Sequence, residues 1–173
     1  TGISSAGCTG ANAVTVTVNP TPTITVSPSS PVICGTGSVT LTASGAGVGG
    51  TYTWSPSTGL SATTGATVTA SPTVTTTYKI NGQSGAGCTA LADSITVTVD
   101  KPIVVTASVT GVSCNGMCNG SAAASVTGGK TLYSYSWSTT STQSAASVTG
   151  LCAGNYTVTV TDSLGCAMPY SVT

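Results

Sequence analysis

The sequence predicts an all-β chain, arranged as β-sandwiches in tandem with almost no helix. Thr is its commonest residue and Val recurs along it, and both are β-branched, stiff at χ1 and better suited to a pleated sheet than to a helix. They alternate, which places one residue type on each face of a strand. Clusters of Gly, Pro, Asn and Ser interrupt the alternation every 8–12 residues or so, the spacing of sandwiches rather than of βαβ units. No segment keeps a capped 3.6-residue apolar period. A mean hydropathy of +0.36 also sets the chain apart from disordered sequences, which are poor in apolar residues.

The clearest strands are the ribbons at 14–18 (Val-Thr-Val-Thr-Val), 95–99 (Ile-Thr-Val-Thr-Val) and 156–160 (Tyr-Thr-Val-Thr-Val). Shorter runs predict strands at 23–26, 38–43, 51–54, 67–70 and 75–80. A second series follows at 103–109, 122–126, 133–137, 145–148 and 167–173. Trp54 and Trp137 each stand two residues after a tyrosine, Tyr52 and Tyr135. Period 2 puts each pair on one face, and core packing is the expected role.

An internal repeat sets the expected boundaries. Gly7-Cys8 leads through the 14–18 ribbon to Asn19-Pro20, and Gly87-Cys88 leads through the 95–99 ribbon to Asp100-Lys101-Pro102. Gly165-Cys166 and the strand after it repeat the ending a third time. The expected organisation is a terminal strand of a preceding sandwich (1–19), a complete sandwich (20–100) and a second complete sandwich (101–173), cut from a longer array. The short Pro-bearing linkers favour stiff end-to-end stacking.

Composition excludes much chemistry. Only 3% of the 173 residues are charged, and there is no His. The three basic residues are Lys79, Lys101 and Lys130, too few and too scattered to track a phosphate backbone, so nucleic acid is not an expected partner. Without His or Glu, catalysis in this segment is not expected, and no cofactor or metal is implied. Asp93, Asp100 and Asp162 lack the clustered carboxylates that Ca²⁺ wants. No apolar run approaches the ~18 residues of a membrane span.

Seven cysteines in so uncharged a chain point to an oxidising, extracellular setting. Pairing inside each sandwich would give Cys34 with Cys88, Cys114 with Cys166 and Cys118 with Cys152, leaving Cys8 unpaired within the segment. Spacing does not prove connectivity. A cysteine between the first two strands of a sandwich lies at the opposite end from one in the last hairpin. The alternative is that the Gly-Cys turn reaches a neighbouring sandwich and clamps two modules together.

Cys114-Asn115-Gly116, Cys118-Asn119-Gly120-Ser121-Ala122, Thr127-Gly128-Gly129, Leu151-Cys152-Ala153-Gly154 and Gly165-Cys166 resemble the SprB repeat of Bacteroidetes gliding-motility adhesins across 101–173. Lys130-Thr131-Leu132 departs from that repeat at a turn. Ile33-Cys34-Gly35, Tyr52-Thr53-Trp54-Ser55-Pro56, Gly59-Leu60 and Gly87-Cys88 resemble the PKD-like or immunoglobulin-like modules of the same secreted proteins. The resemblance implies tandem immunoglobulin-like sandwiches, disulfide-stapled, exported by type IX secretion and displayed on the cell surface in a long adhesin. It carries no catalytic residues. Asp93-Ser94-Ile95 and Asp162-Ser163-Leu164 resemble the Bacteroidetes O-glycosylation pattern and nominate Ser94 and Ser163 as sugar acceptors, against ordinary hairpin chemistry of Asp and Ser.

The expected function is therefore non-enzymatic: a rod- or filament-forming structural and adhesive element. Its expected partners are neighbouring repeats or subunits of the same fibre and surface polysaccharide. The alternatives are a glycan-binding module, or a filament protomer whose 1–18 strand completes a neighbour's sheet.

Overall fold

The computed structural model describes residues 2–3, 5–7, 9–10, 13–139 and 143–173. Its described residues form only strands, turns and loops, with no helix. The chain opens with a small hairpin, β1 (Gly2–Ile3) against β2 (Thr9–Gly10), around a turn with Gly7 at φ 78°. The ribbon at 14–18 forms no strand with any of the described residues, and Val14, Val16 and Val18 are all more than three-quarters exposed. Alternation alone predicts a strand there, but a ladder also needs a neighbouring strand, and none of the described residues supplies one.

The first sandwich pairs two sheets. One has the order β3 (Thr25–Ser27), β5 (Val39–Ser44), β7 (Thr67–Ala70). The other runs β4 (Val32–Cys34), β9 (Asp93–Asp100), β8 (Thr76–Gln83), β6 (Thr51–Ser55). The opening strand is split. β3 bonds β5, the chain breaks at Pro28 and Pro31, and β4 then crosses to run parallel to the end of β9. Proline has no N–H for a ladder, so the two prolines mark the crossing. Leu41 and Val68 on one sheet meet Trp54, Tyr78, Ile80 and Val97 on the other, all at most 3% exposed. The polar tips of the aromatics are satisfied: Tyr78 OH donates to Thr58 O at 2.7 Å and Trp54 Nε1 to Gly65 O at 2.9 Å.

The second sandwich has β10 (Val104–Thr110), β11 (Gly120–Thr127) and β13 (Ser147–Leu151) in one sheet. The other holds β12 (Ser134–Trp137), β14 (Tyr156–Thr161) and β15 (Ala167–Val172). Its core has the same plan, with Val148 facing Trp137, Val158 and Val160. Trp137 Nε1 donates to Ala145 O at 3.0 Å. Both tryptophans are thus core residues, and Tyr52 and Tyr135 pack against the same cores.

The strands fix two poles on each sandwich. β9 ends at Asp100, and the β8–β9 loop with Cys88 lies at its other end. In the second sandwich the β14–β15 turn with Cys166 and the end of β15 are likewise opposed. The distal pole of the first sandwich meets the proximal pole of the second.

Candidate functional site

The two sandwiches are joined through a covalent and polar junction. Cys34 closes β4, opposite Asp100 of β9, and Gly35 N donates to Asp100 O at 2.9 Å. From the other side, the turn at 162–166 closes with Gly165 N on Asp162 O (3.1 Å) and Asp162 N on Cys166 O (3.0 Å). Gly165 takes φ 85°, where a side chain is strained, so the Gly-Cys order has a conformational cause. Cys34 and Cys166 form a disulfide with Cα atoms 5.6 Å apart, 132 residues apart in sequence.

This pairing corrects two sequence expectations. Cys34 does not bond Cys88, and Cys166 does not bond Cys114. The reason is topological: Cys88 and Cys34 occupy opposite poles of the first sandwich, as Cys166 and Cys114 do in the second, and Cys34 meets the Cys166 turn of the neighbouring sandwich instead. Cys118 and Cys152 do bond each other. Cys88 (half-buried) and Cys114 (exposed) are free thiols among the described residues. Cys8 lies outside them.

Beside the disulfide sits a pair of buried carboxyl groups, Asp100 and Asp162, 9% and 6% exposed. Asp162 is surrounded by donors. Its Oδ1 accepts from Leu164 N (2.9 Å) and Cys166 N (3.0 Å), and its Oδ2 from Lys130 N (3.0 Å). Burial by itself would raise its pKa. The hydrogen bonds from Asp100 and from the Lys130, Cys166 and Leu164 amides outweigh burial and hold it at about 2. Asp100 is pushed the other way, above the ordinary carboxylate value, by burial first and then by its hydrogen bond to Asp162 and the charge there. Asp100 Oδ2 is buried with no protein donor. Of the two, Asp162 is the one that ionises first as pH rises, and Asp100 the one that holds a proton to higher pH.

Carboxylate oxygens of Asp100 and Asp162 and the Cys166 sulfur lie within 4.8 Å of one another. They suit a proton better than a cation. The sulfur is already in a disulfide, and three amide N–H groups occupy the Asp162 oxygens, whereas Ca²⁺ needs six to eight free oxygens.

Glycines let the backbones close in. Gly128 and Gly129 have φ 75° and 61°. A Cβ on Gly129 would lie 2.7 Å from Ile103 Cγ1 and 3.0 Å from Asp162 Oδ2. Gly129 N donates to Lys101 O at 3.1 Å, tying this loop to the linker. Val32, from the first sandwich, packs against the core of the second.

Ser94 and Ser163 are both exposed. Their settings differ. Ser94 lies in β9 opposite Lys79, its amide donating to Asp93 Oδ1, while Ser163 lies inside the turn closed by buried Asp162. The two Asp-Ser pairs are therefore not structural counterparts. Ser84 is the counterpart of Asp162. It opens the turn that ends at Cys88, and its Oγ accepts Cys88 N at 3.1 Å. The carboxyl pair escaped sequence reasoning because its members are far apart in the chain. The available signal was that, with so few acids, one stands before the Pro linker and another before the Gly-Cys turn.

No protein-family model and no curated protein matches the chain. Solved structures do. A C-terminal 282-residue fragment of intimin, in complex with the intimin-binding domain of the translocated intimin receptor, is 17% identical over 88% of this chain, with a TM-score of 0.61. The N-terminal eight Ig domains of Down syndrome cell adhesion molecule are 16% identical over 88% of it, with a TM-score of 0.57. The chain spans 64% of the first and 27% of the second. These likenesses establish the fold as tandem immunoglobulin-like β-sandwiches.

Proposed function

We propose that the chain is a non-enzymatic, extracellular segment of a large secreted cell-surface adhesin, holding adhesive parts away from the cell as a stiff rod. The observation that carries this reading is the junction: one disulfide and one buried carboxyl pair fasten two sandwiches pole to pole. Such a joint limits bending between the sandwiches, which is what a spacer under load requires. Disulfides suit an oxidising exterior. The fold is that of the intimin fragment and of the cell adhesion molecule, and the resemblance of 101–173 to the SprB repeat extends the reading to Bacteroidetes surface adhesins exported by type IX secretion. Neighbouring repeats of the same fibre and surface polysaccharide are the proposed partners. Exposed Ser94 and Ser163 are the proposed sites of O-linked sugar, which would solvate a surface with little charge.

Small-angle X-ray scattering of the oxidised chain tests the rod. The expected result is an elongated particle whose maximum dimension persists across salt concentrations, since the joint is not built on surface ion pairs. A compact particle, or a broad distribution of end-to-end distances in the oxidised protein, contradicts it.

A further inference from the structure

We propose that Cys88 and Cys114 are the two halves of a second inter-sandwich disulfide, made between the proximal pole of one copy of this chain and the distal pole of another. This deepens the end-to-end rod reading and rests on it.

The proximal pole of the first sandwich is built like the half-joint that the second sandwich contributes to the junction. Ser84 to Cys88 forms the same closed turn as Asp162 to Cys166. Gly87 N donates to Ser84 O at 2.9 Å and Ser84 N to Cys88 O at 2.9 Å, with Gly87 at φ 84°. The Cys166 sulfur lies beside Asp100, just before the Pro102 linker, and the Cys88 thiol lies 4.0 Å from Asn19 O, just before Pro20. The adjacent loop matches too. A Cβ on Gly45 would run into Thr23 O as one on Gly128 would run into Pro102 O. Where the second sandwich meets a neighbour, the first has an open cleft of about 330 Å³ between Asn19, Pro20, Val48 and Ala86.

The distal pole of the second sandwich supplies the complementary half. Cys34 stands two residues after Val32, which packs against the next sandwich. Cys114 stands two residues after Val112, and Val112 lines an open, mainly apolar cleft of about 200 Å³ with Val109, Leu151, Tyr156 and Val172. Two half-joints of opposite kind, one per pole, make a heterologous contact that does not close on itself, so copies add head to tail. The first sandwich already meets the second through this joint in the same chain, which is why a second copy is the occupant that fits.

The chemistry balances as thiol–disulfide exchange. Cys88 and Cys114 lose two protons and two electrons and gain one S–S bond, and a disulfide oxidant such as oxidised glutathione is reduced to two thiols.

The test uses the full chain carrying Cys8→Ser, concentrated in a glutathione redox buffer. A non-reducing gel should show a ladder of multimers that collapses on reduction, and peptide mapping should find Cys88 joined to Cys114 of another copy. Cys88→Ser or Cys114→Ser alone should abolish the ladder. Mixing those two variants should give one covalent dimer and nothing larger. The proposal is overturned if Cys88 and Cys114 stay reduced, pair with their own kind or bond within one copy while Cys34–Cys166 is present. If Cys34–Cys166 is absent as well, the joint itself is wrong and the rod reading falls with it.

Discussion

Asp100, the last residue of β9, and Asp162, which opens the turn after β14, share one buried site at the junction of the two sandwiches. Three amides favour the ionised form of Asp162, and burial, with its partner's hydrogen bond and charge, favours the protonated form of Asp100. Together they are a polar contact that exists only while the sandwiches touch.

The pair gives the joint a pH dependence whose sign follows from the two shifts. Asp162 has a folded pKa of about 2, below its ordinary value of 3.8, so its contribution is present above 3.8 and disappears as pH falls through about 2. Asp100 is raised above 3.8, so stability declines as pH rises from there through its folded pKa, when a second charge enters the site. Thermal melting of the oxidised chain should therefore show stability that climbs between about 2 and 3.8 and falls again as pH rises above 3.8. Asp100→Asn, which keeps a donor and cannot ionise, should remove the fall above 3.8. A variant that follows the parent curve would disprove the assignment.

Asp162→Asn should behave differently. It removes the charge on which three amides converge and turns one acceptor into a donor facing N–H groups. A loss of about 1–3 kcal/mol is expected in denaturant unfolding at pH 7, the usual range for a buried donor left unsatisfied.

Gly129→Ala should weaken the joint more than its size suggests. It forces a side chain into a left-handed residue and against Ile103. Destabilisation of about 2 kcal/mol is expected, combining backbone strain with overpacking. Gly111→Ala, where a Cβ meets nothing within 4 Å, is the control and should change stability far less.

Leu132 is the one described non-glycine residue with positive φ, 76°, and its side chain is 84% exposed. Leu132→Gly should relieve the strain and lose little packing, raising stability by about 0.5–1 kcal/mol in the same assay. It lies in the turn where the sequence departs from the repeat it resembles.

Much of the fold was legible because Thr/Val alternation and Gly/Pro punctuation are local signals. The strands around Leu41, Trp54, Tyr78 and Val158 fall where period 2 places them. Other parts were not legible, among them the two-residue strands β1 and β2, which are too short to carry a period. β4 is three residues long and follows Pro31, so it has no period to read; only its parallel contact with β9 makes it a strand. The 14–18 ribbon has the pattern of a strand but no partner. The junction was half legible. The Gly-Cys turns stand out by repetition, but which thiol each turn meets depends on which pole it occupies. The carboxyl pair depends on the same docking, because Asp100 and Asp162 meet only once both sandwiches have formed.

The most direct test of the end-to-end lock is a disulfide map of the unreduced protein, cut after Lys79, Lys130 and Tyr156. A peptide carrying Cys34 joined to one carrying Cys166, with Cys118 joined to Cys152, is the predicted result. Cys34 recovered with Cys88, or Cys166 with Cys114, would mean that each sandwich is stapled to itself and that no disulfide locks the two together.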